Sequence, residues 1–166
     1  MNGFLRTPKL SDFNNLISWL NAYTGSNIPQ HTADTSDVLG NAWLAGFIDA
    51  DGSFDIHVRN QRIVDGRKIG KDRVEARFRL EQRQSDPKTG ESYSFVLGLI
   101  AKALATKLSL SIHHGTSYYL ITVTSSTQLP ILVDYLDAYQ LFTSKYLDYV
   151  DWRTVQQLML TKGHIT

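Results

Sequence analysis

The sequence predicts an α+β fold: a four-stranded antiparallel sheet with helices on one face, plus a helix at the N-terminal end. Three observations carry this. Two pairs of short runs alternate apolar and polar residues with period two, each pair joined through glycine-containing turns. Stretches with apolar residues at helical spacing lie before, between and after those pairs. Finally, 166 residues with 42% hydrophobic content supply one core of ordinary size. Cysteine is absent, which excludes a disulfide framework, a Cys-ligated metal and a thiol nucleophile.

In chain order, Ser11 precedes a stripe of Phe13, Leu16, Ile17 and Leu20, so a helix is expected over about 12–23, stopping at Gly25. Polar residues from Ser26 to Ser36 read as a linker. The chain thus divides into an N-terminal helix and linker over 1–36 and a main domain over 37–166. A second helix is expected over 37–51, with Gly52 as a left-handed cap. The first strand pair turns Phe54, Ile56 and Val58, then Val74, Ala76, Phe78 and Leu80, inward. Ser53, Asp55, His57 and Arg59, then Arg73, Glu75, Arg77, Arg79 and Glu81, face outward across a long loop through Asp65-Gly66 and Gly70.

A helix over 91–106 follows, carrying Val96, Leu97, Ile100 and Leu104. The second pair turns Leu108, Leu110 and Ile112, then Tyr119, Ile121 and Val123, inward around Gly115. Ser109, Ser111 and His113, then Tyr118, Leu120, Thr122 and Thr124, face outward. Two helices close the chain, one with Leu129, Leu132, Val133 and Leu136 after Pro130, the other over 144–161 with Tyr149, Trp152, Gln156 and Met159. The open face of such a sheet is either wet or bound to something.

Composition bounds the partners. No run nears the ~18 apolar residues that span a bilayer, and MNGFLRTPKL lacks the apolar core of a signal peptide, so a soluble, intracellular protein without a membrane partner is expected. Net charge is only +1. Its distribution is uneven: ten of the 17 basic residues lie between Arg59 and Lys88 against five acids, a local net of +5 that leaves −4 for the rest. Such segregation lets one surface attract a polyanion, although a solvated charged hairpin would look the same.

The stretch LAGFIDADG, residues 44–52, concentrates the chemistry. Asp49 and Asp51 fall in the last turn of a helix, where the macrodipole is negative and an anion is disfavoured by about 0.3–1 kcal/mol. The Ala50 carbonyl and the Asp51 carboxylate there offer hard oxygen ligands of the kind Mg²⁺ and Ca²⁺ take, while Asp49 could instead satisfy backbone amides. On the same helix Ala42, Gly46 and Ala50 recur every fourth residue, a small-residue row that lets another helix approach closely. If that helix is its own copy, two Asp51 side chains meet at a two-fold axis; otherwise the row packs inside the domain.

The outward sheet face mixes donors and acceptors suited to base edges: Ser53, Asp55, His57, Arg59, Arg73, Glu75, Arg77, Arg79, Ser111, His113, Tyr118, Leu120 and Thr122. Lys68, Lys71 and Lys88 in flanking loops suit phosphates. The five histidines lack metal-ligand spacing, and neither a G-x-S-x-G elbow nor a glycine-rich phosphate loop occurs.

LAGFIDADG is similar to the LAGLIDADG motif of homing endonucleases, differing only at Phe47, and the element order resembles that family's αββαββα core. FRLEQRQ and LFTSKYLDYVDW resemble segments of mitochondrial intron members. The resemblance implies a site-specific homing endonuclease that makes a double-strand break in a long duplex DNA target by divalent-metal-dependent phosphodiester hydrolysis. It assigns Asp51 as the metal-binding catalytic acid, Ala50 as a further ligand, and Gln82 and Lys145 as the polar pair near the scissile phosphates. Mg²⁺ is the implied metal, with Ca²⁺ or Mn²⁺ as substitutes, and Ala42, Ala45, Gly46, Asp49 and Ala50 form the implied dimer interface. NGFLRTPKLSDFNNLISWLN resembles the opening of the second half of two-motif relatives, so the partner is either a second copy or a separate N-terminal half. The family's habit places the protein in an organelle, the mitochondrion. An intron maturase and a non-cleaving DNA-binding regulator are the alternatives on the same scaffold.

Overall fold

A computed structural model describes residues 5–161. It contains α1 (Lys9–Thr24), α2 (Trp43–Asp51), β1 (Gly52–Arg59), β2 (Arg62–Val64), β3 (Arg67–Ile69), β4 (Arg73–Arg83), α3 (Ser94–Ala103), β5 (Leu108–His113), β6 (Thr116–Val123), α4 (Leu129–Ala138) and α5 (Lys145–Leu160). Four strands form one antiparallel sheet in the order β1-β4-β6-β5, which is the expected α+β class, and β2 and β3 form a separate small hairpin. The chain divides into two compact units. One joins the N-terminal segment through Leu44 to Glu81–Ile121; the other joins Ala45–Leu80 to the segment from Thr122 onward.

In the first unit α1 ends at Gly25, whose φ of 67° is the left-handed conformation glycine adopts freely. Of the expected stripe only Ile17 is buried, and Leu16 is exposed. The polar stretch after α1 is tied along that helix by two amide clamps. Asn14 accepts from the His31 amide at 2.9 Å and donates to its carbonyl at 2.8 Å. Asn21, two turns on, does the same to Ile28 at 2.8 and 2.9 Å. Arg6 is buried, ion-paired to Asp34 at 2.6 Å, bonded to the Ser36 carbonyl at 2.6 Å and 5.2 Å from the Trp43 ring.

Lys9 donates to buried Asp86 at 2.6 Å, and the Lys88 and Thr89 amides donate to the same carboxylate. The Lys9 hydrogen bond, helped by the Lys88 amide, pulls the Asp86 pKa from 3.8 down to about 2. A carboxyl held below its unfolded value stabilises the fold above that value and ceases to as pH falls through the folded one. Wild type is therefore expected to lose thermal stability between pH 3.8 and about 2 more steeply than Asp86→Asn, measured by circular dichroism melts across that window.

Val96, Leu97, Ile100 and Leu104 are buried as expected, and α3 packs against β5. The β5 expectation needs correction. Leu110 and Ile112 are 69% and 71% exposed, because β5 is the last strand of the sheet and cover is lost beyond half-buried Leu108. In β6, Ile121 and Val123 are fully buried.

In the second unit, Ala76, Phe78 and Leu80 of β4 are fully buried. Phe54 of β1 lies 5.3 Å from the Phe78 ring, 5.4 Å from Tyr149 and 5.3 Å from Trp152, so aromatic packing fixes α5 over β1. Towards the far end of this edge strand the packing stops, leaving Val58 58% exposed rather than inward. The long loop carries the β2–β3 hairpin, turning through Asp65 and Gly66 with φ of 50° and 75°. Positive φ at both central residues is the two-residue turn that Asp-Gly favours. Leu129, Leu132 and Leu136 of α4, with Tyr149, Trp152 and Gln156 of α5, complete the burial.

The α2 helix starts six residues later than expected. Asp37 accepts from the Leu39 amide at 3.0 Å and Asn41 from the Trp43 amide at 2.9 Å, and such local side-chain acceptors compete with helical bonds. Ala42 consequently precedes the helix.

Candidate active site and nucleic-acid face

The C-terminal end of α2 gathers Asp49, Asp51 and Lys145 of the second unit. Ile48 is fully buried beneath it, as is Ala45, whose amide donates to the Tyr135 hydroxyl at 2.8 Å. Ala45 therefore belongs to the core of its own unit rather than to a surface for another chain. Ala42, Gly46 and Ala50 are exposed, and a Cβ added at Gly46 would meet nothing within 4 Å.

Asp49 takes the second of its two open readings. Its carboxylate accepts from the Phe142 amide at 2.8 Å, the Thr143 amide at 3.3 Å and the Thr143 hydroxyl at 2.7 Å. Burial works to raise its pKa, but these donors outweigh it and hold the group below 3.8. Asp49 so anchors the turn that launches α5, whose first residue is Lys145. The half-buried Lys145 ammonium donates to the Ile48 carbonyl at 3.0 Å, a cation on the negative end of α2.

Asp51 is the last residue of α2 and reaches solvent. Desolvation nonetheless pushes its pKa above 3.8, against the pull of the Lys145 charge. The fold thus brings Asp51 and Lys145 together. Gly52 begins β1 without the left-handed φ expected of a cap. Its requirement is space: a Cβ would lie 2.8 Å from both the Ile48 carbonyl oxygen and its Cγ2, and 3.1 Å from the Phe78 ring. Gln82 is the next-to-last residue of β4, half-buried in the first unit, its side-chain oxygen accepting from the Arg83 amide at 2.9 Å.

The outward residues of β1 and β4 pair across the register as Ser53 with Arg79, Asp55 with Arg77, His57 with Glu75 and Arg59 with Arg73. Asp55 receives Arg77 Nε at 2.8 Å and lies 3.1 Å from Arg79 Nε. Glu75 receives Arg73 Nε at 2.9 Å, with Arg59 at 3.9 Å. In the first unit His113 contacts Ser111 at 2.8 Å and Glu81 at 2.9 Å, with its ring 5.6 Å from Tyr118. Leu120 and Thr122 are half-buried, while Lys68, Lys71 and Lys88 are exposed. Sequence reasoning missed the cation-lined cleft of about 690 Å³ between the β1–β4 stem and the small hairpin, walled by Arg59, Arg62, Lys71 and Arg73. Asp-Gly between RIV and RKI was the signal for it.

Among the described residues no three His, Asp or Glu side chains cluster to hold a metal. The donor chemistry at Asp51 fits a hard divalent cation, but as half of a ligand set: one carboxylate and a helix-end carbonyl.

These features, an αββαββα-type chain with an acid at a helix end and an arginine-rich sheet, define a protein class. A family model described as LAGLIDADG endonuclease matches residues 44–156, and the chain belongs to that family. It is 44% identical over 97 residues to the probable intron-encoded DNA endonuclease aI1 of Mycosarcoma maydis, covering 58% of this chain and 79% of that protein. It is 28% identical over 187 residues to the intron-encoded DNA endonuclease aI3 of Saccharomyces cerevisiae, covering 98% of this chain but 45% of the yeast protein. Among solved structures, the meganuclease I-SmaMI bound to uncleaveable DNA is similar at 32% identity and a TM-score of 0.57, covering 76% of this chain and 39% of that one. The homing endonuclease I-TnaI shares the fold at 22% identity and a TM-score of 0.59, covering 75% of this chain and 76% of that one.

Proposed function

We propose that this chain supplies one half of a site-specific, divalent-metal-dependent homing endonuclease that cuts both strands of a long duplex target as a dimer. The observation that carries this reading is the pairing of Asp51 and Lys145 at the end of a helix whose Gly46 and Ala50, with Ala42 just before its start, stay exposed. One chain offers one such acid, and a double-strand break needs a reaction centre for each strand. The exposed row suits close docking of the equivalent helix, whether from a second copy or from a separate N-terminal half.

Asp51 and the Ala50 carbonyl would hold Mg²⁺, with Ca²⁺ or Mn²⁺ as substitutes. When bound, such an ion supplies a nucleophilic hydroxide at neutral pH and neutralises charge at phosphorus. The protein's own residues do the rest. Lys145, steered by the Ile48 carbonyl and by the turn that Asp49 anchors, places a positive charge beside the scissile phosphate. Gln82 contributes a polar side chain to orient water. Ser53, His57, Arg59, Arg73, Arg77, Arg79, Ser111, His113, Tyr118, Leu120 and Thr122 face the DNA, and Lys68, Lys71 and Lys88 contact its phosphates. The names of similar proteins, intron-encoded endonucleases and a cox1 intron protein of Schizosaccharomyces pombe, support an organellar setting, the mitochondrion.

The test incubates the full chain with plasmids tiling the intron-free mitochondrial DNA of its source. Linear product is expected from one plasmid with Mg²⁺ and from none with EDTA. Binding without product after prolonged incubation with metal would replace the nuclease by a regulator. Stimulated splicing of an intron RNA without DNA cutting would replace it by a maturase.

A further inference from the structure

Asp55 and Glu75 are each ion-paired to arginines of the same sheet face. The two oxygens of Asp55 both face arginine: Oδ1 accepts from Arg77 Nε at 2.8 Å, and Oδ2, buried and without a hydrogen-bond donor among the described residues, forms an ion pair with Arg79 Nε 3.1 Å away. Oδ2 is thereby shut off from a cytosine amino group approaching the sheet. Each arginine meets Asp55 through Nε, and among the described residues neither has another ion pair, so its Nη donors remain available to a ligand. That end of a guanidinium carries the parallel donors that match guanine O6 and N7. Arg77 and Arg79 are two residues apart on β4 and on one face, so their stems stand about 6.8 Å apart, close to two base steps. Glu75 repeats the pattern at the next outward position of the strand, taking Arg73 through Nε at 2.9 Å.

We propose that Asp55 is a positioning residue for sequence recognition: by hydrogen-bonding Arg77 Nε and ion-pairing with Arg79 Nε it presents both guanidiniums edge-on to two guanines of the target, and it reads no base itself. This rests on the DNA-cutting reading above. An unheld arginine samples many rotamers and reaches phosphates as easily as bases, so removing the carboxylate costs discrimination rather than attraction. Deleting an acid from this face also raises its positive charge, which strengthens sequence-independent binding.

The experiment selects from a randomised duplex library, in Ca²⁺, with full-length wild type, Asp55→Ala, Asp55→Asn, Arg77→Ala and Arg79→Ala, each checked for an unchanged melting curve. Wild type is expected to select two guanines; Arg77→Ala loses one preference and Arg79→Ala the other. Asp55→Ala loses both, with discrimination falling roughly tenfold or more at each position while affinity for random duplex holds or rises. Asp55→Asn, which keeps an acceptor, retains part of the preference. Two results overturn the proposal with the nuclease reading intact: an unchanged profile in Asp55→Ala, or the loss of a single cytosine preference. Wild type that selects no sequence at all overturns both.

Discussion

Replacing Asp51 by Asn is expected to abolish DNA cutting while leaving binding to the same duplex within a fewfold of wild type. Asn keeps the size of the side chain and one oxygen but not the negative charge that a divalent cation requires. The expected loss is at least about a thousandfold in rate, the scale seen when one member of a catalytic set is removed. Asp51 lies at the surface end of α2 and its charge is already disfavoured there by burial and by the helix end, so neutralising it does not threaten the fold. Single-turnover cleavage and gel-shift measurements on one target settle the matter; cutting by Asp51→Asn at the wild-type rate would remove the assigned chemistry.

The second large effect is expected from Gly46→Arg. Nothing lies within 4 Å of a Cβ at that position, and arginine is favoured over glycine in a helix by somewhat less than about 1 kcal/mol, so the lone chain folds at least as well. A long charged side chain in the middle of the small-residue row nevertheless keeps a partner helix at a distance. The variant is expected to sediment as a single chain where wild type pairs, and to lose cutting roughly a hundredfold or more, with its melting temperature held or raised. Gly46→Ala is the matched control and retains pairing. Pairing and cutting by Gly46→Arg at wild-type levels would show that the row serves no partner.

Much of this was legible in the chain. LAGFIDADG announced a helix ending in acids, and α2 does end at Asp51, although Gly52 serves as the first residue of β1 and not as a left-handed cap. The alternation in β4 predicted the burial of Ala76, Phe78 and Leu80, since that strand lies between β1 and β6 and is covered along its core face. The same alternation misled in β5, where Leu110 and Ile112 follow an inward pattern on an edge strand that nothing covers. Periodicity reports which side a residue takes, not whether that side is occupied. The start of α2 was misread because Asp37 and Asn41 look like ordinary polar positions until their carboxylate and amide oxygens are seen on the Leu39 and Trp43 amides. Of the implied interface residues, Ala45 faced the core and Asp49 was engaged by Phe142 and Thr143, contacts about ninety residues distant in sequence.

The sequence by itself determined the α+β class, the family, the position of the helix-end acid and the concentration of arginine on one pair of strands, because these depend on local pattern and on a contiguous motif. Tertiary structure decided which charges act together. It set Lys145 on the Ile48 carbonyl beside Asp51, tied Asp49 to the start of α5, and paired Asp55 and Glu75 with arginines of the sheet face. Those pairings form between residues brought together by strand register and helix packing, and electrostatic partnership falls off over a few ångströms of space, whatever the distance along the chain.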